Sequence, residues 1–259
     1  MFVYAVATVK FIDDHKYSPR RRLDLLLQLP MSTVHEGKTK FNPTSTLDSL
    51  YTSILQGAFE GIPGDDPRVH PVLSVVVLAS NPLSPSAMAT LLGLDAEDVI
   101  PLLLSLHSLL VLNEDTSHPV RPFHKSFPDF ITDPTRCTNE KFYISPSHHL
   151  ELFTCCLRIM NQTLEKNMCN LPEGVKNSEV NDLKERTEQH INHALQYACR
   201  SWHKHLVGDP GANNPEITSA LQYFLENKFL CWLEVLSVLG ACRNAVDALK
   251  VAVKWLEVS

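Results

Sequence analysis

The chain has 259 residues, of which 44% are hydrophobic and 20% charged, and its formal net charge is -6. This length allows one large domain or two to three small ones, and the hydrophobic content excludes a globally disordered chain. The negative balance argues against a dedicated nucleic-acid-binding protein, because such proteins usually carry a basic surface.

The N-terminal stretch "MFVYAVATVKFIDD" places Phe2, Val6, Val9 and Ile12 at helical spacing, which predicts an amphipathic helix. It has no basic residues ahead of its apolar run, and Lys10 interrupts that run, so we expect no signal peptide. No apolar run reaches the ~18 residues that a membrane span needs. The 7 cysteines include no C-x-x-C pair. We therefore expect reduced thiols in a cytoplasmic protein that binds no membrane.

The stretch "SPRRRLDLLLQL" predicts a second helix, with Ser18 as its cap and Pro19 at its first position. The three arginines 20–22 are expected on a solvated face, opposite a buried stripe of Leu23, Leu26 and Leu27. Residues 30–45 indicate a loop. The next stretch, "STLDSLYTSILQGAFEGI", predicts a third helix with Leu47, Leu50, Tyr51, Ile54, Leu55 and Phe59 on one side. Together these elements form a predicted helical segment over residues 1–66.

The loop contains Gly37-Lys38-Thr39, the end of the phosphate-binding pattern G-x-x-x-x-G-K-[ST]. Ser32 stands where that pattern has its first glycine. A working P-loop also needs a strand before it and a helix directly after it. Here the preceding segment is predicted to be helical, and Pro43 in the following segment blocks early helix continuation. We expect no nucleotide site at this loop and no enzymatic activity in this chain.

Residues 67–135 follow the order helix, helix, helix, hairpin, which is typical of a winged-helix domain. Ser84 and Pro85 mark the start of the second helix, and Asp95 that of the third. The run "LLVLNEDTSHPVRPFH" predicts two short strands around a polar turn. The predicted fold class is therefore mainly α: a helical segment, a winged-helix domain with a small β-hairpin, and an α-helical domain over 136–259. The helices of that last domain are predicted at 147–169, 179–206, 215–227, 229–240 and 242–257.

Two sets of histidines are candidates for chemistry. His190, His193, His203 and His205 flank Cys199 on one predicted helix, but their spacing does not converge as zinc ligands must, so we expect no metal site. His124 lies where the last predicted strand meets the helix of "KSFPDFITDP". An imidazole there either orders the junction through backbone hydrogen bonds or contacts a phosphate.

The run "PVRPFHKSFPDFITDPTRCTNEKFYISPSHHLELFTCCLRIMNQTLEKNMCNL" resembles the segment that follows the NTPase core in fungal NACHT-type STAND NTPases, which are relatives of NOD-like receptors. "MFVYAVATVKFI" resembles the helix that closes the NACHT core. "NPLSPSAMATLLGL" and "LLLSLHSLLVLNED" resemble the winged-helix region, and "INHALQYACRSWHKHL" and "FLENKFLCWLEVLSVLG" the helical stretch after it.

This resemblance implies a signalling switch in which the winged-helix and helical regions close over a nucleoside diphosphate held by the NACHT core. A winged-helix histidine touches the diphosphate in such switches, and His124 matches it by its place in the motif. The P-loop and the magnesium-binding aspartates precede this region in the family. We therefore expect a non-catalytic regulatory module, either a fragment, a truncated gene product or a short paralogue. Its partner would be a NACHT core in cis or in trans, which binds ATP or GTP with Mg²⁺.

Two alternatives remain. One is a helical scaffold whose exposed apolar faces bind another protein. The other is a winged-helix nucleic-acid binder, which we disfavour because its recognition helix would begin with Asp95, Glu97 and Asp98, and these carboxylates would face phosphates. The expected partners are therefore proteins, and no nucleic acid.

Overall fold

The computed structural model describes residues 2–13, 18–27, 33–35, 38–40, 43–60, 66–113, 115–207 and 215–258. The protein is mainly helical, as predicted. Its helices and strands are α1 (Phe2–Ile12), α2 (Pro19–Leu27), β1 (Thr33–His35), β2 (Lys38–Lys40), α3 (Pro43–Ala58), α4 (Val69–Leu78), α5 (Pro85–Leu92), α6 (Ala96–Ser105), β3 (Leu110–Val111), β4 (Arg121–Pro122), α7 (Ser126–Ile131), α8 (His148–Thr163), α9 (Leu183–His190), α10 (His193–Ser201), α11 (Pro215–Tyr223), α12 (Phe229–Val238) and α13 (Arg243–Val258).

The chain divides into two compact units. Unit 1 comprises Met1–Val77 and Glu97–Ser145, and unit 2 comprises Leu78–Ala96 and Pro146–Ser259. The helices α4, α5 and α6 and the β3–β4 hairpin follow one another in the predicted order. However, α5 belongs to unit 2 and the hairpin to unit 1, so the range 67–135 is shared between the units. The winged-helix domain and the three domain boundaries stay predictions.

In unit 1, the apolar side of α3 is buried as predicted, apart from the half-buried Leu47. The prediction for α2 is wrong in part, because Leu23 and Leu27 are exposed and only Leu26 of the three leucines is buried. Arg22 was expected in solvent, yet it is buried. Its guanidinium donates a hydrogen bond to the Phe11 carbonyl at 2.6 Å and lies 4.4 Å from the Phe11 ring centroid. The carbonyl and the ring face replace water around the charge.

The predicted loop over 30–45 is also corrected, since β1 and β2 pair as antiparallel strands within it and α3 already begins at Pro43. Val34 lies opposite Thr39, and His35 opposite Lys38. A two-stranded pairing of three residues each carries no alternating apolar pattern, which explains why periodicity did not reveal it.

In unit 2, the start of α5 agrees with the sequence. The Ser84 side chain accepts a hydrogen bond from the Ala87 amide, and Pro85 occupies the first helical position. Gly93 ends the helix in the left-handed conformation, with φ of 71°. The Arg158 guanidinium fills the space that a Cβ at Gly93 would occupy, and it donates a hydrogen bond to the Leu91 carbonyl at 2.7 Å. These contacts join the end of α5 to α8.

The single helix predicted over 179–206 is wrong, because the chain breaks it after His190. Asn192 adopts an extended conformation, and its side chain accepts a hydrogen bond from the Leu195 amide at 2.8 Å. It thereby caps α10 as a separate helix, the role that asparagine favours over a helix interior. A 3₁₀ turn, Trp202–His205, follows α10 directly.

The core of unit 2 is an aromatic cluster around Trp202. The Trp202 ring centroid lies 5.7 Å from that of Phe224 and 5.9 Å from that of Trp232. The indole N–H of Trp232 donates to the Cys199 carbonyl at 2.9 Å. The indole N–H of Trp202 is buried, and no described residue accepts a hydrogen bond from it.

Between α11 and α12 the chain forms a π-helix, Phe224–Lys228, so that helical backbone continues from Pro215 to Val238. The sequence predicted two helices separated at residue 228. A π-helical turn holds more residues than an α-helical one, so it accommodates an extra residue without ending the helix.

Candidate functional site

The site built around His124 lies at the end of the hairpin in unit 1. Leu110 pairs with Pro122, and the Phe123 amide donates to the Leu109 carbonyl at 2.8 Å, so strand-like pairing extends to the residue before His124. The six-residue helix α7 begins two residues after it. His124 therefore lies at the strand-to-helix junction that the sequence predicted, and it is half-buried.

Hydrogen bonds from one neighbour hold the His124 imidazole. The Ser126 amide donates to His124 Nδ1 at 3.1 Å, and Ser126 Oγ lies 2.8 Å from the same nitrogen. A backbone amide only donates, so Nδ1 is the acceptor and carries no proton. The neutral ring therefore bears its proton on Nε2. No described residue forms a hydrogen bond with Nε2.

Tyr51 of α3 supports this arrangement from the buried side. Its hydroxyl lies 2.7 Å from Ser126 Oγ, and its ring packs against Phe127 and Phe130 with centroids 5.5 and 5.4 Å apart. Since Ser126 Oγ donates to Nδ1, the Tyr51 hydroxyl donates to Ser126. Burial raises the pKa of Tyr51, which keeps this hydroxyl protonated.

Basic residues are close to the histidine in the chain or contact its neighbour Phe123. Arg121 and Lys125 are exposed on either side of it in the sequence, and Lys10 Nζ lies 4.2 Å from the Phe123 ring centroid. Of the two carboxylates that act on Tyr51, Asp48 is paired, because Arg136 binds both its oxygens at 2.6 and 3.1 Å, whereas Asp129 is exposed in the first turn of α7. An N–H donor of fixed direction, with basic residues beside it in the chain, suits an anionic oxygen such as that of a phosphate.

Sequence reasoning found His124 but missed the two residues that hold it. Ser126 lies two positions further on, where a short side chain and its amide commonly bond a neighbouring side chain, so a local signal existed. Tyr51 lies 75 residues before Ser126, and no local pattern indicated it.

Two other groups that the sequence singled out, the P-loop-like segment and the histidines around Cys199, lie elsewhere in the fold. Lys38 and Thr39 lie in the strand β2, whereas Gly37 lies outside the described residues. His203 and His205 are buried, His193 is exposed, and Cys199 is buried with its thiol pKa raised by burial. Among the described residues, no three histidines, cysteines or carboxylates converge on a place for a metal ion.

A histidine pair that the sequence did not indicate lies in unit 2. His205 Nδ1 is 2.9 Å from His149 Nδ1, and His205 Nε2 is 2.7 Å from the Tyr197 hydroxyl. The Ser80 amide donates to that hydroxyl at 3.2 Å. These four residues form one continuous chain of hydrogen bonds.

Comparisons of the chain with protein-family models, curated proteins and solved structures find no match. Over the part of the chain that the structure describes, the helices are too short or too polar to cross a bilayer.

Proposed function

We propose that this chain is a non-catalytic regulatory module of a NACHT-type STAND NTPase, in which His124 senses a nucleoside diphosphate. The observation that supports this role is the fixed tautomer of His124. With Nδ1 occupied by Ser126, the ring offers Nε2–H as a donor to an oxygen outside this chain. The basic residues Lys10, Arg121 and Lys125 would offset the charge of a diphosphate.

In this proposal the NACHT core, in cis or in trans, binds ATP or GTP with Mg²⁺, and this chain alone needs no cofactor. The module would bind the diphosphate state and hold the switch closed in the cytoplasm. A ligand can shift such an equilibrium only by its differential affinity for the two states, and the His124 hydrogen bond supplies part of that difference.

The purified chain is expected to hydrolyse neither ATP nor GTP. Lys38 and Thr39 lie in a strand, whereas a P-loop places its lysine and hydroxyl residue where the phosphate-binding loop meets a helix. Phosphate release should equal that of a buffer blank, and Lys38→Ala should leave it unchanged. Turnover above the blank that disappears in Lys38→Ala would contradict the expectation.

His124→Ala is expected to weaken diphosphate retention when the module is joined to a NACHT core. Loss of one charge-assisted hydrogen bond corresponds to about 1.5–3 kcal/mol, or roughly a 10- to 150-fold faster nucleotide release. Release of a fluorescent nucleoside diphosphate, followed by stopped flow, measures this. His124→Gln keeps an N–H donor and should recover part of the loss.

A matched control is His118→Ala, which removes an exposed histidine from the turn between the same two strands. It should release nucleotide at the wild-type rate. Equal rates for wild type and His124→Ala would remove the nucleotide-sensing role.

The alternative of a helical protein-interaction scaffold is favoured by one observation, the apolar surface that α13 exposes. A scaffold would bind its partner whether or not a NACHT core or nucleotide is present. The nucleic-acid-binding alternative has no such support, since Glu97 and Asp98 lie in the first turn of α6.

A further inference from the structure

The helix α13 carries an apolar stripe that its own unit does not cover. Val246, Val253 and Leu256 are 56%, 53% and 42% exposed, and Leu249 is half-buried. Cys242, just before the helix, is exposed. We call Cys242, Val246, Leu249, Val253 and Leu256 the α13 stripe.

Within α13, successive members of the α13 stripe are separated by three, four and three residues, and Cys242 lies four residues before the first of them. This alternation keeps apolar side chains in line along one side of a helix, and it is the repeat by which two helices pack along their length. Scattered exposed apolar residues do not show such a repeat.

A different face of α13 packs against its own unit. Ala245, Ala248 and Ala252 are buried, and the Trp255 ring lies 6.4 Å from Phe153 between centroids. Because residues advance by about 100° around a helix, the alanine face and the α13 stripe are neighbours that do not overlap. The stripe is therefore a second apolar face, which the packing of unit 2 does not require.

The charges beside the α13 stripe indicate what covers it. Arg243, Lys250 and Glu257 are exposed and follow one another at seven-residue intervals, so they form one flank of the stripe. The other flank is Ala245 and Ala252, which face the protein's own core. Only one flank is thus able to form ion pairs with a partner helix.

When two copies of α13 lie antiparallel, two of the three charged residues of this flank face opposite charges on the other copy. When Lys250 lies at the two-fold axis, Arg243 of each copy faces Glu257 of the other, and Val246 lies within one residue of the level of Val253. A parallel pair would place each charged flank beside alanines, with no opposite charge. Such a symmetric contact is self-complementary, as a closed dimer requires.

We propose that the α13 stripe binds a second copy of this chain, with the two helices antiparallel. The 16-residue helix spans about 24 Å, only slightly more than two heptads. The buried area is therefore below that of stable dimers, and the two Lys250 side chains repel each other at the axis. We expect a dissociation constant between about 10 µM and 1 mM. This inference is independent of the nucleotide-sensing role, since it needs neither a NACHT core nor a nucleotide.

The first test is the mass of the 259-residue chain, by sedimentation equilibrium from about 10 µM to 1 mM. The wild type should approach dimer mass at the upper end. The double variant Val246→Glu with Val253→Glu should stay monomeric. Tyr223→Glu with Leu230→Glu, which alters two exposed apolar residues of unit 2 outside the stripe, should dimerise like the wild type. Circular dichroism confirms that each variant is folded.

The second test uses charge reversal, which leaves the apolar residues intact. Arg243→Glu and Glu257→Arg should each weaken the dimer by the modest amount that is typical of exposed ion pairs. The double reversal should restore the dissociation constant to within about threefold of the wild-type value. A wild-type chain that is monomeric at about 1 mM overturns the proposal. Dimers that both single reversals leave unchanged overturn the antiparallel pairing.

Discussion

Replacing Trp202 with alanine is expected to lower the free energy of unfolding of unit 2 by about 3–5 kcal/mol. Trp202 is completely buried, and it packs against Phe224, Trp232 and Phe153. Alanine removes the apolar area of the indole and leaves a cavity that its aromatic neighbours fill only in part. Urea unfolding followed by circular dichroism, which does not depend on the deleted fluorophore, measures the loss.

A matched pair of substitutions separates packing from hydrogen bonding. Trp202→Phe and Trp232→Phe make the same chemical change in one cluster, but among the described residues only the Trp232 indole has a partner, the Cys199 carbonyl. Trp232→Phe should therefore cost about 1–2 kcal/mol more than Trp202→Phe. Equal costs, or the reverse order, would show that the Trp232 hydrogen bond contributes nothing.

Acidification is expected to destabilise unit 2 by about 3 kcal/mol between pH 6.5 and about 4, because of His205. His205 is 1% exposed, and burial lowers its pKa to about 4. In the unfolded chain its pKa returns to about 6.5, so over this range the unfolded state binds more protons. The contribution of His205 to the free energy of unfolding is therefore fully present well above pH 6.5, and it is lost as the pH falls towards about 4. Burial lowers the pKa of His149 and His203 too, which adds to the loss.

The geometry of the His149–His205 pair also predicts a loss of stability on acidification. The Nδ1 atoms of His149 and His205 are 2.9 Å apart, and this contact accommodates one proton. When both rings are charged, two N–H groups face each other and the hydrogen bond is lost. The bond from the Tyr197 hydroxyl to His205 Nε2 is lost as well, unless the hydroxyl rotates and accepts.

Unfolding free energies measured from pH 7 to pH 4 test this expectation. His205→Gln should be less stable at pH 7 and should show a shallower pH dependence, since a titrating group is gone. His193→Gln, which changes an exposed histidine of the same unit, should follow the wild-type curve. A wild-type slope in His205→Gln would assign the acid effect to other groups.

Features that depend on sequence neighbours were predictable. Ser84 and Pro85 mark the start of α5 because a cap and its first turn lie within four residues. The strand-to-helix junction at His124 is equally local. The capping role of Asn192 could have been predicted by the same rule. It was missed because the apolar pattern on both sides of Asn192 indicated one continuous helix.

Features that depend on distant residues were not predictable. Arg22 resembles its two arginine neighbours in sequence, and only the Phe11 carbonyl and ring distinguish it. His149 and His205 are 56 residues apart, and Tyr51 and Ser126 are 75 apart. Hydrogen bonds between such positions form only after packing brings their helices together, so no periodicity in the chain encodes them.

Because of the π-helix at Phe224–Lys228, the packing of this stretch depends on its number of residues more than on their identity. The completely buried positions there are Phe224, Trp232 and Leu236, and the first interval is eight residues instead of the seven that two α-helical turns supply. Deleting one residue would convert the segment to regular α-helix and turn α12 by about 100°. Trp232 would then leave the aromatic cluster. Homologous chains should accept substitutions here more readily than insertions or deletions.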